Sequence, residues 1–497
     1  MLNVVSNKSF SRALFAAGAI FNSALPLGAT QPPSGGGSSP YPSSPNPGVN
    51  SVFTYGQARL QPEYGDGAPA VGETVTLSNG VQITRLTDVN SAPGASDLFI
   101  VYSRYSPENT DGNKFLGFGA DSTSSYAFNR DGTLLGALKH TSGADIGENH
   151  EVRWDISGLH PNRVYYRYGM GFYMIDDVRN PQPVIVRDFS SVAPNSTQIY
   201  NDVEGDCSDS SDRWGWMATH YDGSNTVVDA YISYEISSDT FYIKTPADMS
   251  GSNLSSEADK SHFSYRPNMV EISPDGNWFV MHHDRKWDDS SYGGNGAAWV
   301  DTWYDGAWAW PFDLDFNAES PRKISVTSTH SGWAWSASGS QYFVSQNSRT
   351  DKLDAVALED PDGWANRLIV GGHAEIGWGS GWHYGKMPPS HADWQFVNNY
   401  SNFDSSNYNN SGYGHDQLWF SQMRDQSTGK HVHIPICHNH NKYVSDYRDE
   451  APAAINRHGN RIYMSINWGG ATTRRDIYLV SISDNWLADA NAYAAAL

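Results

Sequence analysis

The stretch YRPNMVEISPDGNWFVMHH (residues 265–283) has the pattern of a β-strand, a tight turn and a second β-strand. The stretch HSGWAWSASGSQYFVSQN (330–347) repeats this pattern. Five more copies follow the same pattern, the last of them loosely: NHEVRWDISGLHPNRVYYRY (149–168), NDVEGDCSDSSDRWGWMAT (201–219), WHYGKMPPSHADWQFVNN (382–399), DEAPAAINRHGNRIYMSIN (449–467) and DLFIVYSRYSPENTDGNKFLGFG (97–119). Neighbouring copies lie roughly 40–60 residues apart, a spacing typical of propeller blades. The repeat therefore predicts about seven blades.

The two ends of the repeat region indicate how the ring closes. After the last copy, DIYLVSI (476–482) supplies one more strand, and no further strand pattern follows. An unmatched strand, VQITRLTD (81–88), precedes the first copy. We predict an all-β fold, a single β-propeller of about seven four-stranded blades in which this N-terminal strand completes the C-terminal blade. A β-sandwich with long loops is the alternative.

The composition favours one large β domain over several smaller ones. A chain of 497 residues would by length alone suggest about three domains. However, it contains 46 Gly, 28 Tyr, 18 Trp and 19 Phe, and its short apolar runs are separated by turn residues. This pattern is typical of an all-β domain.

The N-terminus has the pattern of a targeting segment. Lys8 and Arg12 precede the apolar run ALFAAGAIF (13–21), and small residues near Ala29 offer a cleavage site. The run is too short to span a bilayer as a helix. We expect a signal peptide over 1–29, a Pro/Gly/Ser-rich linker over 30–50 and the propeller over 51–497. The protein is thus predicted to be secreted, or periplasmic or held at the cell surface, without a membrane span.

Charge and cysteine content restrict the partners. The formal net charge is −21, which opposes binding to nucleic acid at long range. An anionic substrate would therefore need a locally basic cleft. The chain has two cysteines, Cys207 and Cys437, which fall in different copies of the repeat, so we expect no disulfide between them. We expect a monomer.

Aligning the copies on the ISPDG-type turn brings polar residues together on one face. The innermost strand of a propeller blade begins on the face where the loop between its second and third strands opens. The residues predicted at this rim are His150, Arg266, His330 and His383 before the innermost strands, and Arg167, Tyr168, His220, Tyr221, His282, Arg285 and Arg349 near the loops. Any one of these histidines is commonly structural, but their convergence favours a cationic, aromatic-lined funnel for a negatively charged sugar polymer.

These residue types favour elimination over hydrolysis. No clear carboxylate pair of the kind used in glycoside hydrolysis is found, although Glu151 and Glu204 lie near the predicted funnel. An Arg bound to the carboxylate of a uronate spreads the charge that develops when the C5 proton leaves. A neutral His or a Tyr can take that proton, and a second group protonates the leaving oxygen. The set predicts β-elimination from a uronic acid.

The segments ENHEVRWD (148–155), EGDCSDSSDRWGW (204–216) and SYRPNMVEISPDG (264–276) together resemble the marine bacterial ulvan lyases of polysaccharide lyase family 24. The resemblance covers the whole domain after the linker, and oligogalacturonate lyases share its SPDG turns. It implies cleavage of ulvan, a sulfated rhamnose–uronate polymer of green algae, at glucuronate or iduronate, leaving an unsaturated uronyl end. Some members carry a C-terminal secretion domain, which we do not expect after ANAYAAAL (490–497).

The resemblance also implies roles for individual residues. His150 is expected to be the catalytic base or acid, and Arg266 the group that neutralises the uronate carboxylate. For the second proton transfer we favour Tyr221, with Tyr168 as the rival. The expected substrate-binding residues are Arg167, Tyr168, His220, His282, Arg285, His330, Arg349 and His383. The alternatives are a carbohydrate-binding propeller without catalysis and a lyase acting on pectic oligogalacturonates.

A metal site is predicted from a histidine-rich hairpin. GHDQLW (414–419) and HIPICHNHNK (433–442) should form adjacent antiparallel strands of the sixth copy. Such a hairpin places His415 opposite Cys437 and His438, with His440 close by. Cys with several His is a zinc-type ligand set. We expect one structural divalent cation, zinc in preference to calcium; the alternative is a His-rich loop beside a buried thiol.

Overall fold

The computed structural model describes residues 67–496 with internal gaps. The residues left out within that range are 89, 93, 120–122, 249–266, 284–305, 316–320, 326–329, 348–351, 373–379, 402–415, 425–431, 442–452, 471 and 473. The predicted signal peptide (1–29) and linker (30–50) therefore lie outside the described residues.

In the described part of the chain, seven antiparallel sheets follow one another, which confirms the predicted β-propeller of about seven blades. Blades one to six each contain four consecutive strands, beginning with the innermost. Blade one has β3 (Leu98–Phe99), β4 (Lys114–Gly119), β5 (Ser125–Asn129) and β6 (Leu134–Leu138). Blade two has β7 (Arg153–Trp154), β8 (Val164–Tyr168), β9 (Gly171–Ile175) and β10 (Pro183–Asp188). Blade three has β11 (Gln198–Tyr200), β12 (Arg213–Tyr221), β13 (Thr226–Glu235) and β14 (Thr240–Lys244).

The remaining blades continue the series. Blade four has β15 (Met269–Ile272), β16 (Trp278–His283), β17 (Gly306–Pro311) and β18 (Arg322–Lys323). Blade five has β19 (Ser331–Trp335), β20 (Gln341–Asn347), β21 (Lys352–Ala357) and β22 (Leu368–Gly372). Blade six has β23 (Ser380–Tyr384), β24 (Trp394–Ser401), β25 (Gln417–Gln422) and β26 (His433–His438). Blade seven takes β27 (Ala453–Ile455), β28 (Arg461–Ile466) and β29 (Asp476–Ser481) from the C-terminal end.

The N-terminal segment closes the ring, as predicted, but it contributes two strands rather than one. Strand β2 (Gln82–Arg85) pairs with β29, so that Ile83 lies opposite Val480. Strand β1 (Thr74–Thr76) then pairs with β2, and blade seven becomes a five-stranded sheet. Because β1 is only three residues long, its single alternation of side chains is too short to be recognised in the sequence.

The repeated SPDG-type turn has a specific structural role. In blade four, Ser273 Oγ lies 2.6 Å from Asp275 Oδ1 and accepts a hydrogen bond from the Trp278 backbone N–H at 3.1 Å. Gly276 has φ +82°, a conformation that side chains with a Cβ rarely adopt. The motif therefore fixes the connection from the innermost strand to the second strand, which explains why it recurs.

The core lies between neighbouring blades and is rich in aromatic rings. Trp214 and Trp216 of blade three stack at 5.6 Å between ring centroids. Phe172 of blade two packs on Trp214 at 4.8 Å. Both faces of most strands are covered, so their sequences are continuous apolar runs rather than strict alternations. Cys207 and Cys437 are both buried free thiols, as expected.

An α-helix, α1 (Trp486–Ala496), follows the last strand. Its Trp486 stacks on Phe420 of blade six at 3.8 Å, and Trp394 Nε1 donates a hydrogen bond to Asn491 Oδ1 at 2.8 Å. The helix therefore packs against blade six rather than forming a separate domain. Within the described part of the chain, no helix combines the length and the apolar character needed to cross a membrane.

Because β2 closes the ring, its buried side chains should contribute to the free energy of unfolding. Ile83 is fully buried in the core of the last two blades. We expect Ile83→Ala to lower the free energy of unfolding by about 2–5 kcal/mol, because it removes buried methyl groups and leaves a cavity. The matched control is Ile185→Ala on the outermost strand β10, where the side chain is 47% exposed. Equal effects in urea unfolding would show that β2 does not close the core.

Candidate active site

His150 lies in a single turn of 3-10 helix, Glu148–His150, immediately before β7. The sequence alignment had placed it at the start of the innermost strand. The turn ends at Glu151, whose φ of 56° is in the left-handed region. A non-glycine residue in this region is uncommon and often marks a functional site. The turn carries His150 onto the face where β8 and β9 are joined.

Three aromatic rings form a stack around Tyr168. The His150 ring lies parallel to the Tyr168 ring, with centroids 5.2 Å apart and 6° between the planes. The His140 ring also stacks on Tyr168, with centroids 4.0 Å apart and 4° between the planes. His140 is itself fixed by a 3.0 Å hydrogen bond between its Nδ1 and the Tyr166 hydroxyl. The stack therefore holds His150 and Tyr168 side by side at the rim of blade two.

The hydrogen bonding of His150 determines which ring nitrogen carries the proton. The Gly147 backbone N–H donates to His150 Nδ1 at 3.0 Å, so Nδ1 acts as an acceptor. A neutral imidazole with an acceptor at Nδ1 carries its hydrogen on Nε2. Burial, with Arg167 and His140 nearby, lowers the pKa of His150 to about 4. At neutral pH His150 is therefore an uncharged hydrogen-bond donor through Nε2.

Arg167 supports this turn from beneath. Its guanidinium donates to the Asn149 carbonyl oxygen and to Gln198 Oε1, the latter at 3.2 Å. Its Nε lies 3.8 Å from Glu151 Oε2. The side chain is nearly buried, and its protein contacts hold the His150 turn to the first strand of blade three. A binding role toward substrate stays a prediction for Arg167.

Glu151 is a fully buried carboxyl group beside the same turn. It accepts hydrogen bonds from the Asn201 backbone N–H at 3.0 and 3.2 Å. Burial raises the pKa of Glu151 to about 7, despite the opposing charges of Arg167 and Arg153. Its location beneath the rim and its backbone contacts indicate that it anchors blade two to blade three.

A second group of polar residues fills the central axis. Arg104 of blade one forms a buried ion pair with Glu271 of blade four, and its NH1 lies 2.9 Å from Met269 Sδ. Glu271 also contacts His282 Nε2 at 2.9 Å and accepts a hydrogen bond from Trp333 Nε1 at 3.0 Å. Burial alone would raise the pKa of Glu271, but Arg104 and the hydrogen bonds lower it to about 2.

The predicted residues His330 and His383 also belong to this axial cluster. Their ring centroids lie 4.4 Å apart, and Tyr102 of blade one packs edge-on to His383 at 5.2 Å. Burial lowers the pKa of His330 to about 4 and lowers that of His383 well below its ordinary value. His282 and His383 are almost completely buried, so both lie beneath the rim rather than on it.

The opposite end of the axis is bridged by Lys386 of blade six. Its Nζ lies 2.9 Å from Asp206 Oδ2, from Asp209 Oδ1 and from the Cys207 carbonyl oxygen, all in blade three. These carboxylates raise the pKa of Lys386, although burial opposes them. This ion pair joins blades six and three across the axis, at the end opposite the rim that carries His150.

The remaining predicted residues divide into two groups. His220 and Tyr221 lie at the end of β12, at the rim of blade three, and Tyr221 is 51% exposed. Three predicted arginines, Arg266, Arg285 and Arg349, lie outside the described residues.

The predicted metal ligands are only partly described. His415 lies outside the described residues, whereas Cys437, His438 and His440 are buried near the end of β26. Cys437 belongs to the apolar core cluster of the last two blades, which favours a packing role for its thiol. In the described part of the chain, no three His, Cys, Asp or Glu side chains come together as metal ligands.

Sequence reasoning missed several residues that shape the site. His140 follows β6 without any motif, and its role depends on a stacking contact that only the folded chain reveals. Tyr102 and Arg104 lie in the looser copy of the repeat, where the alignment was weakest. Arg104 closely follows the apolar run LFIVY (98–102) and could have been suspected, because an arginine that is fully buried usually has a partner.

Comparison with solved structures agrees with the fold. An oligogalacturonate lyase from Vibrio parahaemolyticus is similar at 12% sequence identity and a TM-score of 0.51, covering 83% of this chain and 97% of that one. An oligogalacturonate lyase in complex with manganese is similar at 11% identity and a TM-score of 0.52, covering 83% and 96%. No family model and no curated protein matches the sequence. At such low identity the likeness shows a shared propeller fold.

Proposed function

We propose that this protein is a polysaccharide lyase that cleaves a uronate polymer by β-elimination, and that its substrate is ulvan. The observation that carries the proposal is the stacked pair of His150 and Tyr168 at the rim, where an uncharged N–H donor lies beside a phenol. The likeness of the fold to oligogalacturonate lyases supports the reaction class.

Each of the two stacked residues has a distinct role in the proposed reaction. The Tyr168 hydroxyl protonates the leaving glycosidic oxygen, a general acid step. His150 Nε2–H donates a hydrogen bond to an oxygen on which negative charge develops, as a neutral imidazole can do. Arg266 binds the uronate carboxylate, as the family resemblance implies. The sequence favoured Tyr221 for the acid step, with Tyr168 as the rival. We now propose Tyr168, because its ring stacks on that of His150, and keep Tyr221 as the alternative.

Activity on a substrate panel tests the proposal. We expect the ultraviolet absorbance of unsaturated uronyl ends to rise when the protein is incubated with ulvan, and to rise little with pectate, oligogalacturonates or alginate. The likeness to oligogalacturonate lyases makes pectic fragments the second candidate substrate. Binding to ulvan without any rise in absorbance would instead indicate a carbohydrate-binding propeller without catalysis.

A divalent cation is a separate part of the proposal. One of the similar solved structures contains manganese. The described residues do not by themselves form a ligand group, so no step of the proposed reaction uses a cation. We propose that His415, His438 and His440 hold one structural ion, zinc in preference to calcium.

Elemental analysis of the purified protein tests this site. We expect about one zinc ion per chain in the wild type, because histidine nitrogens are common zinc ligands. We expect its loss in His438→Ala, whereas the exposed His160→Ala retains it. Calcium or manganese in place of zinc would correct the identity of the ion, and equal metal content in both variants would place the ion elsewhere.

The proposed substrate is consistent with export. A polysaccharide is degraded outside the cell, and the predicted signal peptide would deliver the enzyme there. We propose that the mature protein acts as a secreted monomer.

A further inference from the structure

His220 and Asp229 form a hydrogen-bonded pair at the rim of blade three. His220 Nδ1 lies 2.8 Å from Asp229 Oδ2. Ser196 Oγ donates a second hydrogen bond to the same oxygen, at 2.7 Å. A carboxylate oxygen only accepts, so Nδ1 of His220 must carry the hydrogen. In neutral His220, the lone pair is therefore on Nε2.

A β-bulge places Asp229 in this position. Ala218 of β12 pairs with Ala230 of β13, but the next residue, Thr219, pairs with Val228. Asp229 is thus an extra residue in β13. Bulges of this kind redirect a side chain and are over-represented next to active sites. Without the bulge, the side chains of β13 would keep alternating between the two faces of the sheet, and Asp229 would not be the extra residue beside His220.

The pair lies on the same rim as the stacked rings of blade two. The Ile199 backbone N–H donates to the Gly169 carbonyl oxygen at 2.9 Å, and Gly169 directly follows Tyr168. On the other side of β11, Gln198 is paired with Thr219, which directly precedes His220. The backbones of Tyr168 and His220 are therefore separated by two strand spacings, about 10 Å. Both positions therefore lie on neighbouring parts of one rim, about the size of one sugar residue apart.

The two histidines present opposite hydrogen-bonding groups. His150 accepts at Nδ1 from a backbone N–H and is a donor at Nε2. His220 donates at Nδ1 to Asp229 and is an acceptor at Nε2. An aspartate behind the imidazole holds this tautomer and stabilises the imidazolium that forms after proton uptake, as in the Ser-His-Asp triad. A general base needs an acceptor nitrogen facing the substrate and a carboxylate behind the ring. His220 has this arrangement, whereas Nε2 of His150 is a donor.

We infer that His220, oriented by Asp229, is the general base of the proposed elimination. This inference rests on the proposed function, because it names the group that removes the C5 proton from the uronate. His220 is 31% exposed, so its free nitrogen can be reached by substrate. Asp229 acts through His220 and is a positioning residue.

The proton balance of the step is complete. His220 Nε2 takes the C5 proton, and the electron pair of the C5–H bond forms the C4–C5 double bond. The C4–O bond breaks, and its electron pair stays on the leaving oxygen, which receives the Tyr168 hydroxyl proton. When the product leaves, His220 releases a proton and Tyr168 regains one through solvent. No oxidant, reductant or further reactant is needed.

Substitution of each member of the pair tests the inference. We expect His220→Gln to lower kcat by about 10²–10⁴-fold on the best uronate polymer, the range for loss of a general base. The matched control is His160→Gln. His160 is exposed and is not among the residues placed at the rim, so this variant should keep wild-type activity. Wild-type kcat in His220→Gln, or a change confined to KM, would overturn the assignment.

The pH profile separates a positioning role from a structural one. Asp229→Asn removes the charge that stabilises the imidazolium of His220. We expect the acid limb of kcat/KM to move to lower pH in this variant, with a loss of kcat as well. Asp222 in the adjoining hairpin also acts on His220 through its charge, and its own pKa is lowered mainly by hydrogen bonds from the Asn225 and Ser224 backbone N–H groups. Asp222→Asn should move the acid limb less than Asp229→Asn does, because Asp229 is hydrogen-bonded directly to His220. An unmoved limb in Asp229→Asn would contradict the role of Asp229.

Long-range ¹H–¹⁵N NMR of the full-length protein distinguishes this failure from failure of the proposed function. The spectrum of His220, assigned by comparison with His220→Gln, should show the Nδ1–H tautomer in the wild type. The Nε2–H tautomer would overturn the inference whatever the activity. The Nδ1–H tautomer in a protein inactive on every uronate polymer would refute the proposed lyase function and, with it, the role of His220 as its base.

Discussion

His150→Ala is expected to lower kcat/KM on ulvan by about 10²–10³-fold, the usual cost of removing one donor to developing charge. The variant loses the Nε2–H donor and one of the two rings that stack on Tyr168. Both losses act at the rim, where Tyr168 is proposed to protonate the leaving oxygen. Kinetics at saturating and at low ulvan concentration measure the effect. His160→Ala, an exposed histidine of the same blade, is the control and should not differ from the wild type.

His150→Gln tests whether the residue acts as donor or base. Glutamine retains an N–H group near the position of Nε2 but cannot take a proton. If His150 is a donor, His150→Gln should keep more activity than His150→Ala, whereas a base would lose as much in both. The pKa of His150, lowered to about 4 by burial, predicts that this residue stays uncharged above about pH 5. The acid limb of kcat/KM should therefore be unchanged in His150→Gln, and a shifted limb would restore His150 as the base.

The fold could be predicted because its signals are local. In blade four, the SPDG turn depends on the contacts of Ser273 and Asp275 and on the positive φ of Gly276. Short polar turns recur at the same place in the other copies, so the repeat is visible in the sequence. Ring closure could also be predicted, because the strand pattern at β2 precedes the first copy of the repeat and has no partner there. In the structure β2 pairs with β29. Strand β1 and helix α1 were not predicted, since one is too short and the other has no amphipathic pattern.

The candidate site was predicted less completely because it depends on contacts between blades. The alignment placed His150 and Tyr168 on one rim, and the ring stack confirms that they are neighbours. It placed His282 and His383 on the same rim, but both are buried in the axial cluster, where His282 contacts Glu271 and His383 packs on His330. The alignment cannot show which histidine nitrogen is free, since that depends on Gly147 in one case and on a bulge in the other.

The two polar clusters perform different tasks at different depths. The axial cluster joins blades that lie across the ring from one another, blade one to blade four through Arg104 and blade six to blade three through Lys386. The rim cluster joins neighbouring blades two and three through Arg167. A site held on rigid strands by such contacts keeps its reacting groups in place without rearrangement. Substitutions in the axial cluster should therefore affect stability first, and those at the rim should affect activity first.

Arg104→Met is expected to lower the free energy of unfolding by about 3–5 kcal/mol, the cost of leaving a buried charge without its partner. Methionine is similar in length and fits the apolar surroundings, so the loss of packing is small. Glu271 keeps its contacts with His282 and Trp333 but loses the charge that most opposes its burial. Urea unfolding at neutral pH measures the effect. The control is Arg187→Met, which breaks an exposed ion pair with Asp239 and should cost about 1 kcal/mol or less.

The pH dependence identifies Glu271 as the source of this loss. In the wild type its pKa is lowered to about 2 from an ordinary 4.5, so its charge stabilises the fold above pH 4.5, and that contribution is lost as the pH falls toward 2. In Arg104→Met, burial raises the pKa of Glu271, and protonation relieves the unpaired charge. The difference in stability between wild type and variant should therefore be largest near neutral pH and shrink in acid. The double variant Arg104→Met/Glu271→Gln should recover part of the loss at neutral pH, because it removes the unpaired charge and keeps an acceptor for Trp333. A pH-independent difference, or no recovery in the double variant, would indicate that Arg104 stabilises the axis by packing alone.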